Sequence, residues 1–243
     1  MIYFAGDFHL GIDGLTSSRE RELQICRWLD EVSKDAEHIY LMGDLFDFWF
    51  EYKSVVPKGC VRFLAKLAET SQKCPVTVFR GNHDAWMQDY LEQECGVKVV
   101  IGPIEVEHCG KRLYLHHGDG LGPGDRSYKI LRKLFHAKST QFFFRWLHPD
   151  IGTALAQKLS RNSRKNQAPP RFNQNENELL YKHCERLIKG GHQADYYIFG
   201  HRHLALDLVL SNGSRYINPG TWLGPARFAR FEPTGTMALH ASH

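Results

Sequence analysis

No stretch of the sequence approaches the roughly 18 to 20 apolar residues that carry a helix across a bilayer. The chain enters a strand-like segment at once, with no basic, apolar and cleavable leader before it. Both absences point to a cytoplasmic protein. The six cysteines, at 26, 60, 74, 95, 109 and 184, form no CxxC pair and no other metal-ligand spacing. Zinc-ribbon and redox-motif readings therefore fall away, leaving six reduced thiols, mostly buried as small hydrophobes. Internal repeats and low-complexity tracts are also missing, which excludes solenoids and disordered tails. What remains is a 243-residue chain, 42% hydrophobic and 24% charged, ordinary for a globular protein and long enough for one domain with an insertion.

The formal net charge of +4 conceals an uneven distribution. Between Arg126 and Arg171 there are eleven Lys or Arg and a single acid, Asp150, so the other 197 residues carry 20 basic and 26 acidic groups. The same segment holds Ile130, Leu131, Leu134 and Phe135 at the spacing of one helix face, then Phe142, Phe143, Phe144, Trp146 and Leu147. Two readings stand together: a helical insertion packed on the domain, or a basic and apolar cap that meets an anionic amphiphile or an anionic membrane surface. Nucleic acid, the other usual partner of a basic stripe, is not expected, because no nucleic-acid motif accompanies it.

Strand-like segments are expected at residues 1–6, 38–42, 76–79, 97–101, 104–108 and 111–115, and again at 196–199, 206–210, 215–217 and near the C-terminus. Helices are expected at 18–33, with Leu23, Cys26, Leu29 and Val32 as its apolar positions, and at 58–72. Most of 125–190 reads as a helical cap insertion, broken by a loop from Gln167 to Asn175. The order implies an α/β sandwich of two sheets flanked by helices, a single domain over 1–243 with its cap at about 125–190.

Polar residues able to bind metal follow the strands: Asp7 and His9 in GDFH, Asp44 in GDLFD, Asn82 in GNHD, His117 in HHGD, and His201 with His203 in GHRH. Ligands gather beyond the carboxyl ends of strands in α/β sheets, so these residues are expected to converge on one edge. Glycines 6, 43, 81, 118 and 200 are expected to make the sharp turns there. Any one fragment alone is commonly a surface feature or a helix cap. Five in this order, each after an apolar strand, are not.

The ordered motifs resemble those of the calcineurin-like metallophosphoesterase superfamily from residue 7 to about 220. That resemblance implies that Asp7, His9, Asp44 and His203 hold one divalent metal and that Asp44, Asn82, His117 and His201 hold another, with Asp44 bridging. It implies manganese ahead of iron or zinc, and attack on the phosphate by a hydroxide held between the metals. It makes His83 and Asp84 the catalytic residues, His83 acting on the scissile group and Asp84, together with Asp47, orienting the ring and the metal ligands. Of the neighbours 116 and 117, His117 matches the motif, and His116 is expected on the opposite strand face.

Within the superfamily the chain looks most like the UDP-2,3-diacylglucosamine hydrolases of lipid A biosynthesis. The likeness rests on HGDGLGPGDRSYKILRKL, on the cap placed before GHRH, and on Asn162, Ser163 and Asn166. It implies hydrolysis of the nucleotide-linked glycolipid to UMP and 2,3-diacylglucosamine 1-phosphate at the inner face of the inner membrane. Asn82, His83, Asp125, Tyr128, Arg132, Ser163 and Asn166 would contact the substrate. That family often has Arg where this chain has His83, and a histidine helps more when the leaving group is an alkoxide. Action on another phosphomonoester or phosphodiester, such as a phosphoprotein, nucleotide or other lipid phosphate, is the alternative. Oligomeric state is left open.

Overall fold

The computed structural model of the chain describes residues 1–121, 137–165, 172 and 177–242, with the backbone alone at 138 and 161–165. Strands β1 (Ile2–Ala5), β2 (His38–Leu41), β3 (Val76–Phe79) and β4 (Lys98–Val100) run parallel, and β10 (Arg227–Phe231) and β11 (Met237–Ala241) extend that sheet antiparallel beyond β1. The second sheet has the order β5 (Ile104–His108), β6 (Lys111–His116), β7 (Tyr196–Phe199), β9 (Arg215–Pro219), β8 (Ala205–Val209), with β6, β7 and β9 parallel. This is the two-sheet sandwich expected from the strand pattern.

Successive side chains on a strand point to opposite faces, and the burial follows that period. Ile2 and Phe4 join Met42, Leu113, Leu115, Ile198 and Ile217 between the sheets. Tyr3 and Ala5 turn outward, where Ile39, Leu41 and Val78 also meet helices α1 (Ser18–Val32), α2 (Val61–Ser71) and α3 (Tyr90–Cys95). On the far side, Tyr114, Tyr197, Phe199 and Tyr216 pack under Leu180 and Cys184 of α6 (Leu179–Lys189). The stretch expected to form one insertion therefore divides. Its last helix lies on the second sheet, and α4 (Lys138–Arg145) and α5 (Pro149–Lys165) sit over the loops. Ile130, Leu131, Leu134 and Phe135, and the 167–175 loop apart from Phe172, lie outside the described residues.

Three elements differ from the expectation. Helix α1 starts with a capping box, Ser17 and Glu20, but its buried face is Arg21, Glu22, Ile25, Trp28, Leu29 and Val32, and Leu23 is exposed. Helix α2 starts at Val61 rather than 58, because Cys60 adopts φ 53 and offers no side-chain cap. Glu22 of α1 substitutes, its Oε1 accepting from the amides of Arg62 (3.0 Å) and Phe63 (3.1 Å). Helix α3, six residues long, is too short to show a period. Its first amides are satisfied by Glu51, whose Oε2 accepts from Asp89 (3.0 Å) and Tyr90 (3.2 Å).

Candidate metal centre

Because β1, β2 and β3 are parallel, as are β6 and β7, the segments that follow them leave at one edge of the sandwich. The turns after β1 and β2 are zipped together, Asp7 donating to the Gly43 carbonyl (2.9 Å), His9 to Asp44 (3.0 Å) and Leu10 to Leu45 (3.0 Å). Fully buried Phe8 points down against Trp28, Phe63 and Trp222, so Asp7 and His9 on either side share the opposite direction. The GHRH turn works alike: Arg202 turns away to a bidentate pair with Glu178 (2.7 and 3.0 Å), while His201 and His203 carry the site face.

This arrangement is conformationally costly. Asp7, His9, Asp44, His201 and His203 all take φ between 46 and 69, a region that costs a non-glycine residue of order 1 kcal/mol or more. Among the described residues, the other two non-glycine positions of positive φ are Cys60 and Cys109. The strain is concentrated where the sequence places candidate ligands. Buried Arg21 helps to hold it, donating to the carbonyls of Phe8 (2.7 Å), His9 (2.8 Å) and Ile12. The glycines contribute differently from expectation. Gly43 (φ 95) and Gly118 (φ 119) take the left-handed region, whereas Gly6, Gly81 and Gly200 do not. Gly81 is there for room, since a Cβ would overlap the Asp44 carboxylate.

The ligating atoms of Asp7, His9, Asp44 and His203 lie within 4.8 Å of one another, and so do those of Asp44, His117 and His201. Asp44 belongs to both groups. His9 Nε2 and His203 Nε2 approach to 3.0 Å, His203 Nε2 is 3.3 Å from Asp7 and His117 Nε2 is 3.4 Å from Asp44. Asn82 Oδ1 comes within 3.3 Å of His117 Nε2, and His117 Nδ1 donates to the Met42 carbonyl (2.7 Å), which turns Nε2 toward the cluster. His116 faces the other way, accepting from the Gly118 amide and packing near Phe199.

A third group, His9, Asp47 and His83, is also compact. A neutral imidazole has one lone pair, and His9 Nε2 already faces Asp7 and Asp44 at 3.9 and 3.8 Å. Its Nδ1 then carries the proton and faces Asp47 at 3.7 Å, so Asp47 reads as an orienting carboxylate. Asp84 is fully buried and accepts from the amides of Gly81 and Leu45, both at 2.7 Å. That ties two turns together. Its carboxyl is raised to about 6 by burial and by neighbouring Asp44.

The charges fit a cation. Burial lowers His9 and His201 to about 4, so both offer free lone pairs at neutral pH. Burial would lower His117 as well, but the Asp44 carboxylate overrides it and lifts the ring to about 10. His203 is raised by Asp7 against the same burial. Two buried carboxylates thus demand positive charge among imidazoles, and divalent ions bound by these oxygen and nitrogen donors meet that demand. Of the expected substrate contacts, Asn82 and His83 are at the centre. Asp125, Tyr128, Arg132 and Asn166 lie outside the described residues, and Ser163 is described by its backbone alone.

The chain matches the family model of the calcineurin-like phosphoesterases over residues 1–205. It is similar to a UDP-2,3-diacylglucosamine hydrolase of Porphyromonas gingivalis, 35% identical over 254 residues that cover 99% of this chain and 97% of the relative. It is 26% identical over 219 residues to one of Shewanella baltica, covering 90% and 88%. Among solved structures, an archaeal phosphodiesterase matches with a TM-score of 0.50 at 12% identity over 99% of this chain and 98% of that one, a likeness of fold. Since the matched span of 1–205 contains every side chain gathered at this edge, from Asp7 to His203, the chain belongs to the calcineurin-like phosphoesterase family and is a metal-dependent phosphoesterase.

Proposed function

We propose that the chain hydrolyses the diphosphate of UDP-2,3-diacylglucosamine, giving UMP and 2,3-diacylglucosamine 1-phosphate. Asp7, His9, Asp44 and His203 would hold one divalent ion and Asp44, Asn82, His117 and His201 the other, with manganese favoured over iron or zinc. Bound there, the pair supplies Lewis acidity and a water of lowered pKa. His83 serves the phosphate directly. Its Nδ1 donates to the Asp47 carbonyl (3.0 Å), which leaves Nε2 to hydrogen-bond a phosphoryl or leaving oxygen.

The observation that carries the substrate is the character of the cap over this edge. Phe144 of α4 is packed on Phe50 and Trp86, each at 4.7 Å between ring centroids. Phe142, Phe143 and Trp146 are exposed instead. In α5, Thr153 and Gln157 face a groove of about 490 Å³ shared with Leu10, Phe46, Phe48 and Trp49, and Ile151, Leu155 and Leu159 form an exposed apolar stripe on the far side. Apolar faces turned outward in a segment with eleven cations and one acid suit acyl chains and an anionic membrane surface.

His83, an imidazole where that hydrolase family often has a guanidinium, favours the second reading, a phosphoester with an alkoxide leaving group. UMP release from UDP-2,3-diacylglucosamine in manganese separates the two. We expect release by the natural chain and loss of more than about 100-fold in Asp44→Asn, since losing a bridging ligand should exceed the cost of losing a partner that supports one. Turnover of p-nitrophenyl esters without any UMP would leave the second reading standing.

A further inference from the structure

One cap side chain reaches the centre. Ser160 follows Thr153 and Gln157 along the inward face of α5, and its Oγ lies 3.3 Å from His83 Nδ1 and 3.3 and 3.4 Å from the two oxygens of the Asp47 carboxylate. The proton positions follow from the partners. The Asp47 carbonyl can only accept, so His83 Nδ1 carries the hydrogen. The Ser160 hydroxyl then donates to the Asp47 carboxylate and presents a lone pair to the same Nδ1–H. Asp47 in turn faces His9 Nδ1 at 3.7 Å. A single hydroxyl thereby ties a cap helix to the group that orients two imidazoles of the centre.

We infer that Ser160 is a positioning residue through which the seating of α5 fixes the ring of His83, so that turnover depends on an engaged cap even for esters too small to touch it. The seating itself has a firm anchor upstream. Gly152 is buried so closely that a Cβ there would stand 2.5 Å from the Tyr52 hydroxyl and 3.0 Å from Phe144. A rigid helix carries that anchor two turns along to Ser160. The inference rests on the proposed role of His83, but it does not depend on which phosphate compound is the substrate.

The test uses the whole protein as Ser160→Ala and Ser160→Thr, with bis(p-nitrophenyl) phosphate and UDP-2,3-diacylglucosamine as separate substrates. Alanine is the better helix former, and thermal melts confirm that the variants fold. Ser160→Ala is expected to lower kcat on both substrates about tenfold, with KM and bound metal unchanged, the size of effect that follows when a proton-transfer group is held less well. Ser160→Thr, which keeps the hydroxyl, is expected to restore most of it. In the zinc-loaded protein, ring nitrogen NMR should show His83 protonated at Nδ1 in both forms, because the Asp47 carbonyl remains its acceptor, with the ring signals broadened by reorientation in Ser160→Ala. An unchanged kcat on the small ester, an effect confined to KM for the lipid, or His83 ring signals as sharp in Ser160→Ala as in the natural chain would each overturn the inference. A natural chain that cleaves the small ester but releases no UMP removes the proposed substrate and leaves Ser160 judged on the ester. If neither compound is cleaved, the His83 ring signals alone decide.

Discussion

At the scale of single residues, the centre presents a choice between protons and ions. His117, held up to about 10 by Asp44 after burial has pulled the other way, is protonated at neutral pH in the metal-free chain, and a ligand must lose that proton to bind. His203 is raised beside Asp7 in the same direction. Metal binding should therefore release about one proton from His117 per loaded centre near pH 7, and affinity should increase as pH rises toward 10. Calorimetric manganese titrations in buffers of different ionisation enthalpy read this directly, and a binding enthalpy independent of buffer would refute it. The motif residues were legible in the sequence because each follows a short apolar strand, and strand ends in such sheets share an edge. Arg21 was not. Flanked by Arg19, Glu20 and Glu22 it looks like one more solvated charge, yet it is completely buried and spends its guanidinium on carbonyls of the first turn. Ser160 had no signal either, since a lone serine in a helix acquires meaning only from what lies opposite.

Among the elements, α4 and α5 are the least ordinary, because each turns large apolar side chains to the outside. The sequence offered two readings of the aromatic run, packing or lipid, and the structure shows which residues pack and which are exposed. Phe144 sits in the Phe50 and Trp86 cluster, while Trp146 is 79% exposed. Phe144→Ala should cost about 2 kcal/mol or more of stability, as truncation of a packed aromatic does, seen as a lowered Tm. Trp146→Ala should leave Tm in place and raise KM for a lipid substrate severalfold, with a small ester unaffected. Equal loss of Tm in the two variants would contradict this division. Helix periodicity could not have shown it, because Phe142, Phe143 and Phe144 are consecutive and only the partner surface decides which one turns inward. The outward stripe of Ile151, Leu155 and Leu159 is similar: its spacing reads as a buried face, and the structure has the polar side of α5 facing the domain instead.

For the whole molecule, the order of sheets and helices was readable from alternating strand and helix patterns, and no described helix is long and apolar enough to cross a membrane. Both sheets contribute to the centre, Asp7, His9, Asp44 and Asn82 from the first and His117, His201 and His203 from the second. Removing the ions with a chelator should lower Tm by about 10 °C, on the order expected when a ligand well above its Kd is withdrawn from a chain of this size, and adding manganese back should reverse it. An unchanged melt would argue that the site carries no ion under those conditions. The left-handed turns at Asp7, His9, Asp44, His201 and His203 then become cleavage points in waiting. Cations bound there would offset that strain, so ion-starved enzyme should be cut first in these loops and ion-replete enzyme spared.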